Sequence, residues 1–362
     1  MEQISLSIVP DSYEDQEDNE EEDDGNEEDE EGNDLVIDQA TFFEAVRTWN
    51  VNVIKQAMVQ GNIDIDININ ALNDMEGNGQ TALVLACKYG HESIVKLLLE
   101  QPSILVNFQP PGEGQRTALM HACLEGHGNI VELLLLRDDI QLDIEDGNST
   151  TAFEFACSKG HHQLVKLFLE GGYHQTNDAG GSGDTALILA CRNKHYNIAK
   201  FLLERQDIQV NVKAKFQNRT ALIEASRCGH DNFVKLLLER GDIEVNLQDY
   251  DGTTALMAAC MIGVVKLLFE RGHILEACSY DHYDIAKRLL ARSDTQVNLQ
   301  DNIGYTALMH ACFNRREDLV KLLLGRDDVD TQLKSSHGKT AYDLCRNKQH
   351  ISEDVKNRLR ER

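Results

Sequence analysis

The sequence predicts an all-α solenoid of stacked helix pairs preceded by an acidic arm, and three observations support this prediction. One pattern, which opens with Thr-Ala and a large apolar residue, recurs with starts 34–36 residues apart between Thr81 and Thr254. Each copy holds two short stretches with the apolar spacing of helices. Each copy is also too short to cover its own apolar faces, so neighbouring copies must stack. The starts are Thr81, Thr117, Thr151, Thr185, Thr220, Thr254, Thr306 and Thr340.

The copy that starts at Thr220 shows how each element follows from the local sequence. Thr is a residue type that caps helix starts, and apolar residues spaced three apart follow it. Gly229 suits the tight turn that ends this first helix. The apolar run at 233–238 predicts a second helix with a broad apolar face. Residues 242–252 then alternate and end in Asp-Gly, which predicts an extended finger directed toward the next copy.

The motif resembles the ankyrin repeat. Residues 81–100 follow T-A-L-x-x-A-C-x-x-G-H-x-x-I-V-K-L-L-L-E, close to the family motif T-P-L-H-x-A-A-x-x-G-H-x-x-[IV]-V-x-x-L-L. The resemblance covers about residues 40–362, with Ala in place of Pro at the first helical position and no His at the fourth. It implies a solenoid of about nine or ten units that recognises proteins and is not an enzyme.

The chain divides into two parts by charge. Residues 1–38 contain 18 Asp and Glu and no Lys or Arg, whereas the whole chain has a net charge of −26. Such a segment has little to bury and repels itself, so we expect 1–38 to be a disordered acidic arm and 39–362 to be the solenoid. Within the solenoid we expect an entry cap at 40–80, repeats from residues 81, 117, 151, 185 and 220, an irregular segment at 254–305, a repeat at 306–339 and a closing cap at 340–362.

The irregular segment at 254–305 allows two interpretations. A truncated repeat lies between two regular ones, or helices fuse there and the stack bends. Either arrangement makes the segment a candidate hinge, although a tolerated local deletion explains it equally well.

No catalytic, cofactor or metal site is predicted. Seven cysteines share one slot of the repeat. Equivalent slots of neighbouring repeats should lie about 8–10 Å apart, which is too far for a disulfide. We therefore interpret the cysteines as small core residues in a reducing compartment. A histidine recurs ten residues after most starts and is expected to cap the turn between helices. One repeat offers two of the four ligands that structural zinc requires.

Charge and hydropathy exclude two further classes of partner. The chain is acidic, whereas a phosphate backbone requires clustered positive charge, so no direct nucleic-acid contact is expected. No apolar run reaches the roughly 18–20 residues that span a bilayer, so no membrane contact is expected. We expect an intracellular monomer, in the cytoplasm, the nucleus or both.

The resemblance implies that partners lie along the concave face, formed by finger tips and first-helix surfaces. Residues there are not fixed by the motif, and Tyr and Arg are enriched in binding hot spots. Isolated exposed aromatic residues, however, need no functional explanation. The candidate partner-binding residues are Lys88, Tyr89, Arg116, Lys159, Arg192, Phe216, Arg219, Arg227, Tyr250, Tyr280, Tyr305 and Phe313.

The resemblance, together with these residues, implies a non-catalytic scaffold or adaptor that binds one or more proteins. The alternative function is an inhibitor or chaperone of a basic protein, acting mainly through the arm. A related hypothesis is that residues 11–34 transiently cover the concave face and regulate access electrostatically.

The resemblance also implies one candidate modification. The segment around Asn246 is similar to finger sequences that asparaginyl hydroxylases modify in this family, and Asn107, Asn211 and Asn298 hold similar places. The alternative is that Asn stabilises the turn by hydrogen bonding its own backbone.

Overall fold

The structure, a computed structural model, describes residues 37–59, 70–72, 79–111, 113–172, 176–181, 183–261 and 275–361. For residues 275–281 only the backbone is described. The expected acidic arm therefore lies outside the described residues, except for Ile37 and Asp38. The described residues belong to one structural unit.

The described residues form eighteen α-helices and no β-strand, which confirms the predicted all-α solenoid. The helices are α1 Gln39–Arg47, α2 Val51–Val59, α3 Ala82–Tyr89, α4 Glu92–Leu99, α5 Ala118–Glu125, α6 Gly128–Leu135, α7 Ala152–Lys159, α8 His162–Glu170, α9 Ala186–Arg192, α10 Tyr196–Glu204, α11 Ala221–Cys228, α12 Asp231–Leu238, α13 Ala255–Met261, α14 Leu275–Leu290, α15 Ala307–Phe313, α16 Glu317–Leu323, α17 Ala341–Cys345 and α18 Glu353–Glu361.

The helices stack in two rows. The odd-numbered helices pack in sequence from α1 to α17 and form the first row, and the even-numbered helices from α2 to α18 form the second row. One continuous apolar core lies between the rows and extends from Ile37 to Leu359. Each repeat therefore buries its apolar faces against its neighbours, as a solenoid requires.

Each first-row helix from α3 onward begins at a capping threonine. The Thr220 hydroxyl accepts a hydrogen bond from the Ile223 amide at 3.3 Å, and this bond satisfies a helix-start amide that has no partner within the helix. In one repeat Glu154 also accepts from the Thr151 amide, at 2.8 Å. Glu154 is the fourth residue of its repeat, the position at which the family motif has histidine.

The turn histidines bind the preceding repeat rather than capping their own turn. His195 Nε2 lies 2.8 Å from the Ser158 carbonyl oxygen, on the end of α7. Its ring occupies the space beside Gly160, where an added Cβ would lie 2.5 Å from the imidazole. Because Gly160 also has φ +85°, the turn needs glycine for two reasons. The histidine column therefore joins consecutive repeats.

The irregular segment contributes one described helix to each row. Helix α13 packs directly on α15 in the first row, and α14 lies between α12 and α16 in the second. Helix α14 has 16 residues, against 8 for α12. His282, within α14, takes the place of the turn histidine, with Nε2 3.4 Å from the Arg227 carbonyl oxygen. Residues 262–274 lie outside the described residues.

Candidate functional site

Finger turns and first-row helices together line one face of the stack, which we call the inner groove. Three positions of each repeat contribute to it: the residue before the capping Thr, and those four and seven residues after it. In the repeat that starts at Thr220, these are Arg219, Glu224 and Arg227, and both arginines form ion pairs with Glu224. The groove residues therefore recur in a fixed geometry while their chemistry varies.

A buried carboxylate lies at the centre of one groove segment. The Glu224 side chain is 0% exposed. It accepts hydrogen bonds from Arg192 Nε at 3.0 Å and from Arg227 Nη2 at 2.7 Å. Arg219 Nη1 lies 3.6 Å from its second oxygen. Three guanidinium groups thus surround one acid, two from its own repeat and one from the preceding repeat.

Two further carboxylates hold these arginines in place. Asp184 accepts from both terminal nitrogens of Arg192, with Nη2 at 3.1 Å. Asp249 accepts from Arg219 Nε at 3.4 Å. Paired, charge-assisted hydrogen bonds of this kind fix the plane of a guanidinium group. The arginines are therefore pre-positioned rather than mobile surface groups.

The pKa values of the two acids shift in opposite directions. Burial raises the pKa of Glu224, but hydrogen bonds and charges from Arg227 and Arg192 outweigh it and hold that pKa below its usual value. Burial outweighs Arg192 at Asp184, so the pKa of that carboxyl is raised. The hydrogen bond from Arg227 to Glu224 raises the arginine's pKa. Burial, followed by Glu224, raises the pKa of the Cys228 thiol, which disfavours a reactive thiolate there.

The arginines line a cleft of about 360 Å³, which we call the arginine cleft. Its walls are Gly183, Asp184, Arg192, Ala214, Phe216, Gln217, Arg219 and Arg227. The side chains of Arg192, Arg219 and Arg227 are 35%, 18% and 43% exposed, whereas those of Asp184 and Glu224 are 4% and 0% exposed. A molecule that enters the cleft meets N–H donors before it meets carboxylates.

An aromatic cluster lies further along the groove. The Tyr305 ring is 5.2 Å from the His310 ring and 6.1 Å from the Phe313 ring. Lys348 Nζ lies 5.5 Å from the centre of the Phe313 ring. His310 Nε2 is 2.7 Å from Asp301 Oδ2, and both side chains are buried. This segment presents an aromatic, amphipathic surface.

A third segment combines a buried histidine with two cations. His121 is buried, and its Nδ1 has no hydrogen-bond partner among the described residues. Burial, then the charges of Lys88 and Arg116, lower the pKa of His121 to about 4. Arg116 stacks over the Phe155 ring at 5.1 Å, and Lys88 Nζ is 5.7 Å from the Tyr89 ring centre.

The candidate residues from the sequence fall into these clusters with three exceptions. Lys159 is exposed at the end of α7 and makes no ion pair within the described chain. Tyr250 is exposed on a finger tip, where its amide donates to the Gln217 carbonyl at 3.0 Å. Tyr280 lies on α14, and its side chain is outside the described residues. Which candidates bind a partner stays a prediction.

Sequence reasoning missed the buried polar residues of the groove. Glu224, His121 and His310 occupy the position four residues after the capping Thr, where other repeats have apolar residues such as Leu85 and Leu189. A charged or imidazole side chain in an otherwise apolar slot was the available signal. The partners of Glu224 from neighbouring repeats could be identified only once the stacking was known.

Asn246 bridges two fingers instead of bonding its own turn. Its Nδ2 donates to the Asp294 carbonyl at 2.6 Å, and its Oδ1 accepts from the Gln296 amide at 2.8 Å. Asn107, Asn211 and Asn298 make the same pair of bonds to the next finger. Hydroxylation of Asn246 stays a prediction.

The described residues contain no group of three or more His, Cys, Asp or Glu placed to hold a metal ion. Eight cysteines within the described ranges are free thiols. No helix in the part of the chain that the structure describes is long and apolar enough to cross a membrane.

Comparison with known families gives one result. A family model described as ankyrin repeats (3 copies) matches residues 42–146, 135–214, 206–276 and 274–353. The matches together extend from within α1 to the first residue of α18. A search of curated proteins finds no match.

Proposed function

Because the chain belongs to the ankyrin-repeat family, whose repeats are generally protein-interaction modules, we propose that it binds a protein partner in the inner groove as a non-catalytic scaffold or adaptor. The chain would act by binding alone, because its rigid stack displays side chains that the repeat motif does not determine. We further propose that the chain acts inside the cell, since its described free thiols, most of them buried, suit a reducing compartment. We also propose that it acts as a monomer.

One observation carries this proposal. The residues that vary between repeats lie side by side along one face and form contiguous chemical segments, namely the arginine cleft and the aromatic cluster of Tyr305 and Phe313. Neither combination of residues is required for stacking, because other repeats stack with different residues in the same slots, such as Thr150 before the capping Thr and Leu124 seven residues after it. Arg and Tyr are also residue types enriched in binding hot spots.

The test is capture of partners from the native lysate by the full-length chain and by matched variants. We expect Tyr305→Ser with Phe313→Ser, or Arg227→Gln, to reduce capture of specific proteins. Lys235→Gln, an exposed change on the second-row helix α12, serves as the control and should leave capture unchanged. Equal capture by parent and groove variants would refute the groove as the binding surface.

The same experiment separates the alternative function, in which the acidic arm inhibits or chaperones a basic protein. In a second full-length variant, Asn and Gln replace the Asp and Glu of residues 11–34. If capture is lost in this variant and retained in the groove variants, the arm is the main contact. Retained capture supports the groove.

A further inference from the structure

We propose that the arginine cleft binds a side-chain carboxylate within an acidic, extended segment of the partner protein. Arg227 and Arg219 are the donors, and Phe216 packs against the neighbouring apolar residue of that segment. This inference rests on the proposed function and names the chemistry of the partner.

The geometry leaves donors available at the cleft surface. Arg227 uses Nε and Nη2 for Glu224, and its Nη1 makes no hydrogen bond among the described residues. Arg219 uses Nε for Asp249 and Nη1 for Gln217, so its Nη2 is likewise uncommitted within the described chain. A guanidinium group carries five N–H donors, and a carboxylate accepts two in parallel. The cleft therefore presents oriented donors without an acceptor.

The charge balance of the cleft selects the class of ligand. Three arginines face three carboxylates, Asp184, Glu224 and Asp249, and the last is 5% exposed. Attraction therefore comes from directed N–H groups rather than from a large net charge, with the exposed Lys215 nearby, its Nζ 5.8 Å from the Phe216 ring centre. A doubly charged phosphate would meet three acids a short distance below, and a nucleic acid requires a cationic stripe that this acidic chain lacks. A single carboxylate carries one negative charge, and its two oxygens match the parallel N–H groups of a guanidinium.

An apolar stripe of finger tips continues from the cleft. Phe216, Tyr250 and Ile303 lie on consecutive finger turns and are 66%, 73% and 49% exposed. Backbone hydrogen bonds join these tips, with the Tyr250 amide 3.0 Å from the Gln217 oxygen. An extended segment that places an acid in the cleft would lay apolar residues along this stripe. Because successive side chains of an extended segment point to opposite sides, alternating residues can direct acids into the cleft and apolar side chains toward the exposed Phe216 at its edge.

The experiment measures binding of a labelled, capped hexapeptide, Glu-Leu-Glu-Leu-Glu-Leu, to the full-length chain. Fluorescence anisotropy of the label reports the bound fraction. The matched peptide Gln-Leu-Gln-Leu-Gln-Leu has the same shape without charge. We expect the Glu peptide to bind at least about 10-fold more tightly than the Gln peptide, since hydrogen bonds between charged groups exceed neutral ones by this order. Arg227→Gln should weaken binding of the Glu peptide about 10-fold, and Lys235→Gln should not change it.

Two further variants keep the test decisive. Circular dichroism checks the fold of each, and Arg227→Lys, which keeps the charge but loses the fork, replaces Arg227→Gln if that variant unfolds. Phe216→Ser should weaken binding of both peptides by a similar factor. Equal affinity for the two peptides, or unchanged binding after Arg227 substitution, overturns the carboxylate assignment.

The outcome is separable from that of the proposed function. If the Glu peptide fails to bind while groove variants still lose captured proteins, the groove function stands and the carboxylate assignment falls. If neutralising residues 11–34 strengthens peptide binding 10-fold, the chain's own acidic segment is the occupant. That result overturns the assignment to a partner.

Discussion

Replacing His121 with leucine should make the stack less sensitive to mildly acidic pH. His121 is 4% exposed, and its Nδ1 has no partner among the described residues. Leu85 and Leu189 occupy the same slot in other repeats, so the substitution fits the packing that the stack already uses. Burial and the charges of Lys88 and Arg116 lower the pKa of His121 from 6.5 to about 4.

The sign of the effect follows from proton linkage. The unfolded chain takes up the His121 proton near pH 6.5, whereas the folded chain resists it until about pH 4. Above pH 6.5, His121 therefore does not reduce the free energy of unfolding. Its protonation in the unfolded chain lowers that free energy as the pH falls from 6.5 to 4, and it lowers it no further below pH 4. At 1.36 kcal/mol per pH unit the full loss is roughly 3 kcal/mol, of which about 2 kcal/mol has occurred at pH 5.

Urea unfolding at pH 7.5 and pH 5.0 measures this difference for the parent chain and for His121→Leu. We expect the change in unfolding free energy between the two pH values to be about 2 kcal/mol smaller in the variant. Because repeat stacks can open locally, amide exchange in α5 supplies a second measurement. An NMR titration that gives His121 a midpoint near 6.5, or an unchanged pH dependence in the variant, would refute the reasoning.

Four other substitutions test how the stack is held together. Glu224→Gln should lower the unfolding free energy by about 3 kcal/mol, because three guanidinium groups lose a buried counter-charge; a urea midpoint equal to that of the parent would contradict this. Asn246→Ala should lower the unfolding free energy by about 2 kcal/mol, because two hydrogen bonds are lost. Faster amide exchange at Gln296, whose amide donates to Asn246, would identify this cause. Gly160→Ala and Gly338→Ala both place alanine at positive φ, but only the first meets a neighbouring ring. The Gly160 variant should therefore lose more stability than the roughly 1–2 kcal/mol expected for φ alone, and equal losses would show that the His195 contact is relieved without cost.

The fold was largely predictable because its determinants are local. The capping threonines, the two apolar stretches and the turn glycines each act within one repeat, and the structure places them as expected. The histidine contacts were not predictable, because the acceptor of each ring lies on the preceding repeat. The turn position also holds Lys194 and Arg315 at φ of 65° and 61°, so stacking imposes this turn even where glycine is absent.

The candidate site was predictable as a surface but not as a set of interactions. Sequence position indicated Arg192, Arg219 and Arg227 because the motif leaves their slots undetermined. It did not indicate that all three meet at Glu224, since this requires the register between two neighbouring repeats. Buried Asp184 and Asp249 were missed for the same reason.

Rigidity connects the scaffold to recognition. Consecutive repeats are joined on one side by the histidine bonds and on the other by the Asn bridges and the finger-tip bonds, such as Asn302 N to Asp251 O at 2.9 Å. Within that frame, Asp184, Glu224 and Asp249 fix the arginines before any ligand arrives. A binding surface that is already ordered loses little conformational entropy on association, so even a cleft with balanced charge can bind usefully. Loosening the frame at Asn246 should therefore weaken binding in the arginine cleft without touching a cleft residue.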